Sequence, residues 1–267
     1  MKVKDAELQL LAKDAIFFRS LGERLKDDEN IGSLIFSFVP YLSLFTWESA
    51  SYLDANFQNK NQLLNKNFGE QIRSSRHRIK LFENPDELLK LISWARKYHR
   101  ELFIESHTGI LAPLKRAIQP DLGIYTYDKE FYGSSLLALV NLGFDIDSFP
   151  TVAEFKNRET NELFHDFGLL IGSYSSELIT IMGLNQFKYD FKLDMPRAAL
   201  FHYGDKKANP FFKNSFNGNK EADLNSVLFI LYLSISFLVN VFDKFIISNP
   251  EPYLKIKYIT LYCPGSP

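Results

Sequence analysis

Between Asp5 and Asp27 the apolar residues Leu8, Leu11, Ala15, Phe18, Leu21 and Leu25 recur at intervals of three and four. A helix of 3.6 residues per turn gathers such a set on one side, whereas a strand would scatter it over both faces. The chain is therefore expected to begin with an amphipathic helix over roughly 5–27, closed by Asp27-Asp28-Glu29-Asn30 and Gly32. A helix with one apolar stripe must be covered by other elements, so this stripe already asks for a packed, mainly helical body.

The pattern returns downstream. A second helix is expected over 33–58, kinked or split at Pro40, which lacks the N–H a helix interior needs. Residues 60–82 are polar and weakly periodic. Asn84-Pro85-Asp86-Glu87 reads as a helix start: Asn84 can cap, Pro85 suits the first helical position, and the acids meet the positive end of the dipole. Leu88, Ile92, Ala95 and Leu102 mark the inner face of that helix. Residues 108–128 carry Gly109, Pro113, Pro120 and Gly123 and read as irregular, with another helix expected over 129–142. After a turn at Asp147-Ser148-Phe149-Pro150, Thr151-Val152-Ala153-Glu154 matches a capping box. Val152, Phe155, Leu163, Phe167, Leu170, Tyr174, Leu178 and Ile181 then extend a long helix to about residue 183, in which Gly168 and Gly172 either bend the rod or admit a close neighbour. A last apolar helix is expected over about 224–247. Phe187 to Leu193 and Leu254 to Tyr258 alternate apolar and polar residues and read as short strands, able to pair into a small two-stranded sheet near 187–193 and 253–262. The fold class expected is mainly all-α: a helical bundle in a single domain over 1–267, without internal repeats or linkers.

Composition narrows the functions. Twenty-five phenylalanines among 267 residues favour a bulky core, and 13 glycines with 11 prolines are few for a sandwich or barrel of many tight turns. A formal net charge of −1 excludes a general polycationic coat for nucleic acid, so any such contact must be a local patch. The lone Cys263 cannot form an intrachain disulfide, and the stretch after Met1 lacks a signal-like apolar run, so a reducing, cytoplasmic setting is expected. Ile31–Phe45 is broken by Pro40, and Val227–Phe242 covers about 16 residues with Ser234, Ser236 and Asn240 inside it. Both fall short of the roughly 20 residues a span needs, so they read as core helices and no membrane association is expected.

Phosphate-binding glycine loops, a nucleophile elbow and cysteine-based zinc sites are absent from the sequence. Glu162 and His165 match one Glu-x-x-His unit of a di-metal bundle, but a second unit is missing and a surface pair is the better reading, so no metal site and no cofactor are expected. Arg73-Ser74-Ser75-Arg76-His77-Arg78-Ile79-Lys80 is the densest positive cluster; it suits phosphate contact, and equally a solvated helix face. His99 lies beside the inner face of its helix and reads as partly buried.

The stretch Met195-Pro196-Arg197-Ala198-Ala199-Leu200-Phe201-His202-Tyr203-Gly204-Asp205 differs from these. Pro196 and the small residues after Arg197 read as a helical start, four residues separate Arg197 from His202, and the late apolar helix follows. This arrangement resembles the HEPN superfamily of helical bundles, whose signature is Arg, four to six residues, then His, before a late core helix. The resemblance extends loosely over about 150–248, with 1–145 as an N-terminal helical extension. It implies a metal-independent endoribonuclease of toxin or defence type acting as a homodimer, with Arg197 on the phosphate and His202 handling protons. Tyr203, Lys206, Lys207 and Lys213, interleaved with Phe211, Phe212 and Phe216, would bind RNA. Arg100…His107 and Arg158…His165 meet the same spacing without this context. Two features depart from the family: Ala198 stands where a polar residue is common, and a regular helix would set Arg197 and His202 about 140° apart. A non-catalytic RNA- or protein-binding or dimerisation module, or a phenylalanine-lined small-molecule pocket, are the alternative readings.

Overall fold

The computed structural model describes residues 3–25, 34–84, 124–134, 160–183, 193–194, 196–204 and 222–247, with single positions at Asp86, Leu89, Lys90, Ser93 and Ile256. It is mostly helical. Helices α1 (Val3–Leu25), α2 (Leu34–Asn56), α3 (Gln58–Glu83), α4 (Thr160–Met182) and α5 (Ala222–Ser236) form the body. Strands β1 (Ile124–Tyr127), β2 (Glu130–Ser134) and β4 (Phe201–Gly204) make an antiparallel sheet in the order β2-β1-β4, and β3 (Leu193–Asp194) pairs with β5 (Ile246–Ile247).

The α1 stripe is buried as its spacing requires, with Leu11, Ala15, Phe18, Leu21 and Leu25 all in the core. What lets α4 reach it is Gly22. A β-carbon there would stand 2.7 Å from both the Gly168 carbonyl oxygen and the Gly172 nitrogen. Two helix backbones meet at this point, and it is Gly22 of α1 that the close approach requires; a β-carbon on Gly172 would meet nothing within 4 Å. Tyr174 follows two residues after Gly172, and its ring stands edge-on to Phe45 at 5.8 Å and to Phe68 at 5.3 Å. Its hydroxyl lies 2.6 Å from Ser49 Oγ and donates to the Thr46 carbonyl at 3.2 Å. Ser49 in turn donates to the Phe45 carbonyl at 2.7 Å. Burial pushes the Tyr174 hydroxyl far above its ordinary value and the Ser49 contact pulls it back only in part, so this phenol stays neutral and serves as a buried cross-link between α2 and α4.

Pro40 sits inside α2 without splitting it. The ring forfeits the hydrogen bond to the residue-36 carbonyl, but Phe38, Val39, Tyr41 and Leu42 around it are all buried, and burial of each large side chain is worth about 1.5–3 kcal/mol. Phe38 is the hub of an aromatic cluster within the same core: Phe237, Phe242 and Phe245 surround its ring at 5.3, 5.7 and 5.9 Å. Phe237 and Phe242 would lie about 140° apart on a regular α-helix. They share a face because the chain widens into a π-turn over Phe237–Val241, with the Phe242 N–H bonded to the Phe237 carbonyl.

Several expectations need correction. Residues 60–82 form one of the longest helices, interrupted by non-helical dihedrals only at Phe68. The helix expected over 129–142 begins instead as strand β2, and 124–127, expected to be irregular, is β1. The Ile124-Tyr125-Thr126-Tyr127 run has high strand propensity, and Asp128 and Lys129 take positive φ of 48° and 72° to turn the hairpin. The last helix ends earlier than 247 because the π-turn and a 3-10 turn at Phe242–Lys244 replace it. Strand pairing at Leu193 is real, but its partner is Ile246–Ile247 rather than 253–262, where Ile256 is helical. Asn84 does cap, accepting from the Asp86 N–H at 3.0 Å. The capping box at 151–154 and most of the 85–103 helix lie outside the described residues.

Gly22→Ala should lower stability by about 1–3 kcal/mol, because overpacking against backbone has no flexible side chain to move. Gly69→Ala, where the added carbon meets nothing within 4 Å, should be neutral or stabilise by up to ~1 kcal/mol. Equal thermal shifts in the two variants would contradict the close α1–α4 approach.

Candidate functional site

Arg197 and His202 stand on either side of a short turn. Arg197 has extended dihedrals (φ −62°, ψ 116°) and precedes a 3-10 turn over Ala198–Leu200, whose Leu200 N–H returns to the Arg197 carbonyl at 3.0 Å. Phe201 then opens β4. The stretch expected to start a helix is therefore a turn followed by a strand. Tertiary pairing outweighs local helix propensity here: the Asp128 N–H bonds the Leu200 carbonyl at 3.0 Å, and β4 aligns on β1 with Tyr127 opposite Phe201 and Thr126 opposite His202. The 140° separation expected of a regular helix no longer applies.

Alternation along β4 decides what is presented. Phe201 is buried against Tyr127 at 4.7 Å and against Tyr132 at 5.7 Å, so it nails the strand to the core. The next residue, His202, must then face outward, and it is exposed; so is Arg197. Thr126 Oγ1 approaches the His202 carbonyl at 3.4 Å, and Thr126 also pairs with Phe131 on β2, so Phe131, Thr126 and His202 form a row across the sheet. A bulge between Tyr125 and Thr126 brings Phe131 into this row and leaves Tyr132 to point into the core.

At the hairpin tip, Asp128, Lys129 and Glu130 are exposed beside the strand end that carries Arg197. Among the described residues there, the acids Asp128 and Glu130 balance the permanent cations Lys129 and Arg197. Among the described residues, no three His, Cys, Asp or Glu side chains stand close enough to hold a metal ion. No helix among them is long and apolar enough to cross a membrane.

Of the other residues singled out by sequence, Tyr203 lies on β4 opposite Tyr125. Lys206, Lys207 and Lys213 fall outside the described residues, as do His99 and Cys263, together with the side chains of His77, Glu162 and His165. Sequence reasoning missed Thr126, Asp128, Lys129 and Phe131. The alternation in Ile124–Tyr127 was the available signal, but Asp-Lys is not a glycine-bearing hairpin turn, and proximity to β4 depends on a pairing more than seventy residues distant. No family, no curated protein and no solved structure matches this chain.

Proposed function

We propose that the chain is a metal-independent endoribonuclease of the HEPN kind that cuts RNA at Arg197 and His202. The observation carrying this reading is that both side chains are exposed on one short segment whose intervening residue, Phe201, is locked in the core. A histidine held on a registered strand and an arginine one turn away supply a proton carrier near neutral pH and a permanent planar cation. His202 takes the proton of the RNA 2′-hydroxyl, and the 2′-oxygen attacks the adjacent phosphorus. The bond from phosphorus to the 5′-oxygen breaks, that oxygen takes a proton from water, and the water recovers one from the protonated His202, which returns to its neutral form. Arg197 meets the negative charge that builds on the phosphate oxygens in the transition state. The products are a 2′,3′-cyclic phosphate and a free 5′-hydroxyl, and no step passes through a metal. Helical content and the position of the motif before α5 support the family; its seat on a turn and strand is a departure from the helical start the resemblance implies.

A second reading, a dimerisation module, is favoured by one observation. Leu228, Tyr232, Ile235 and Val239 are 48, 44, 50 and 55% exposed and follow one another at four, three and four residues along α5 and the π-turn. That spacing is the seam of a helix pair, and a homodimer through it is compatible with nuclease activity as well as with its loss.

Purified protein should cut labelled single-stranded RNA in EDTA, and His202→Ala and Arg197→Ala should each slow cutting about 10²-fold or more while remaining folded. Mutants that cut as fast as wild type would remove both residues from the chemistry. In sedimentation runs, Tyr232→Glu/Ile235→Glu should turn a dimer into a monomer; an unchanged oligomeric state would dismiss the seam.

A further inference from the structure

We infer that α3 presents a cationic face that binds the phosphate backbone of single-stranded RNA, away from the Arg197–His202 segment. The ligand class rests on the proposed function; the surface does not. Among the described residues the sheet end bearing His202 has no net positive charge, and the chain as a whole carries −1, so a basic surface elsewhere would add to the attraction an RNA ligand feels. Helix α3 supplies it. Six lysines and arginines against two glutamates give this one helix a net charge of +4, which leaves the remainder of the chain at −5.

The charges are sorted by face. Leu64, Ile72 and Ser75 are buried, with Phe68 partly buried between them, and these positions define the core side. Lys66 and Arg73 are exposed on the opposite side with Glu70, and Arg76 is exposed at the edge between that side and the core. Lys66 and Arg73 are seven residues apart, roughly two turns or 10 Å along the axis. Arg73 is steadied by its Nε donating to the Gly69 carbonyl at 3.3 Å. Arg76 lies over the Trp47 ring of α2 at 5.2 Å, and this cation–π contact sets a guanidinium fork and an aromatic ring side by side at the edge of the basic face. Cations at helical intervals beside an aromatic ring are what a single strand recognises, phosphates by charge and bases by stacking.

An anionic membrane surface is the other polyanion such a helix could meet. Surface insertion needs a free apolar face, and that of α3 is already spent on the core through Leu64 and Ile72.

The test is binding, kept separate from cleavage by a 2′-O-methylated single-stranded RNA that lacks the nucleophile. Lys66→Glu/Arg73→Glu/Arg76→Glu should weaken binding at least 10-fold, and the slope of log affinity against log salt should fall by about 2, for three phosphate contacts on a single strand. Lys66→Glu/Arg73→Glu, which leaves the Arg76–Trp47 contact in place, should show about two thirds of that loss of slope with an unchanged thermal midpoint. If His202→Ala still cleaves unmodified RNA while the α3 variants lose binding, the basic face stands and the nuclease assignment falls. Wild-type binding in both folded α3 variants would overturn the basic face, as would attraction to anionic vesicles with none to the RNA.

Discussion

Gly22 is the residue on which the helical body depends. Because it has no side chain, α1 and α4 touch backbone to backbone at Gly168 and Gly172, and every contact beyond that point inherits the spacing. Helix α2 packs against both partners of this seam, with Phe45 stacked on Phe18 of α1 at 4.9 Å and Thr46 and Ser49 meeting the hydroxyl of Tyr174 of α4. A methyl group at position 22 would act as a wedge on the whole α1–α4 seam. Protein interiors are packed too tightly to absorb such a displacement at one place.

The aromatic cluster around Phe38 obeys a different constraint. Phe38 is fully buried and needs aromatic partners, and the chain obtains them by widening α5 into a π-turn so that Phe237 and Phe242 fall on one side. The same departure frees the chain to leave the helix at Phe242–Lys244 and enter β5, which pairs with β3 just ahead of Arg197. Packing around Phe38 and the entry into the candidate site are thus linked through a few residues of irregular helix.

Sequence periodicity carried the helices and carried much less of the sheet. The stripe from Leu8 to Leu25 and the Asn84 cap were legible because each depends on neighbours within a turn or two. Strands β1, β2 and β4 were not, because β4 is held by a partner far away in the chain and its own residues, Ala198-Ala199-Leu200, favour a helix. The run over 60–82 is weakly periodic in sequence because its charges dominate the pattern, while among its described side chains Leu64, Ile72 and Ser75 are buried and Phe68 partly so. For the site, the identities of Arg197 and His202 were legible and their geometry was not: their helical angle was the wrong quantity, and strand alternation against Phe201 decides which way they point. Thr126 and Phe131 enter the site only through register.

The claim on which the functional account turns is that His202 lies on a strand paired with Thr126. Its most direct test is a nuclear Overhauser experiment on isotope-labelled protein. The account predicts strong cross-strand contacts between the backbone protons of Thr126 and His202 and between those of Tyr125 and Tyr203, with extended-chain couplings over 201–204. Sequential helical contacts running from Arg197 through Tyr203, with none to 124–127, would contradict it and return the segment to the helical start that its residues alone suggest.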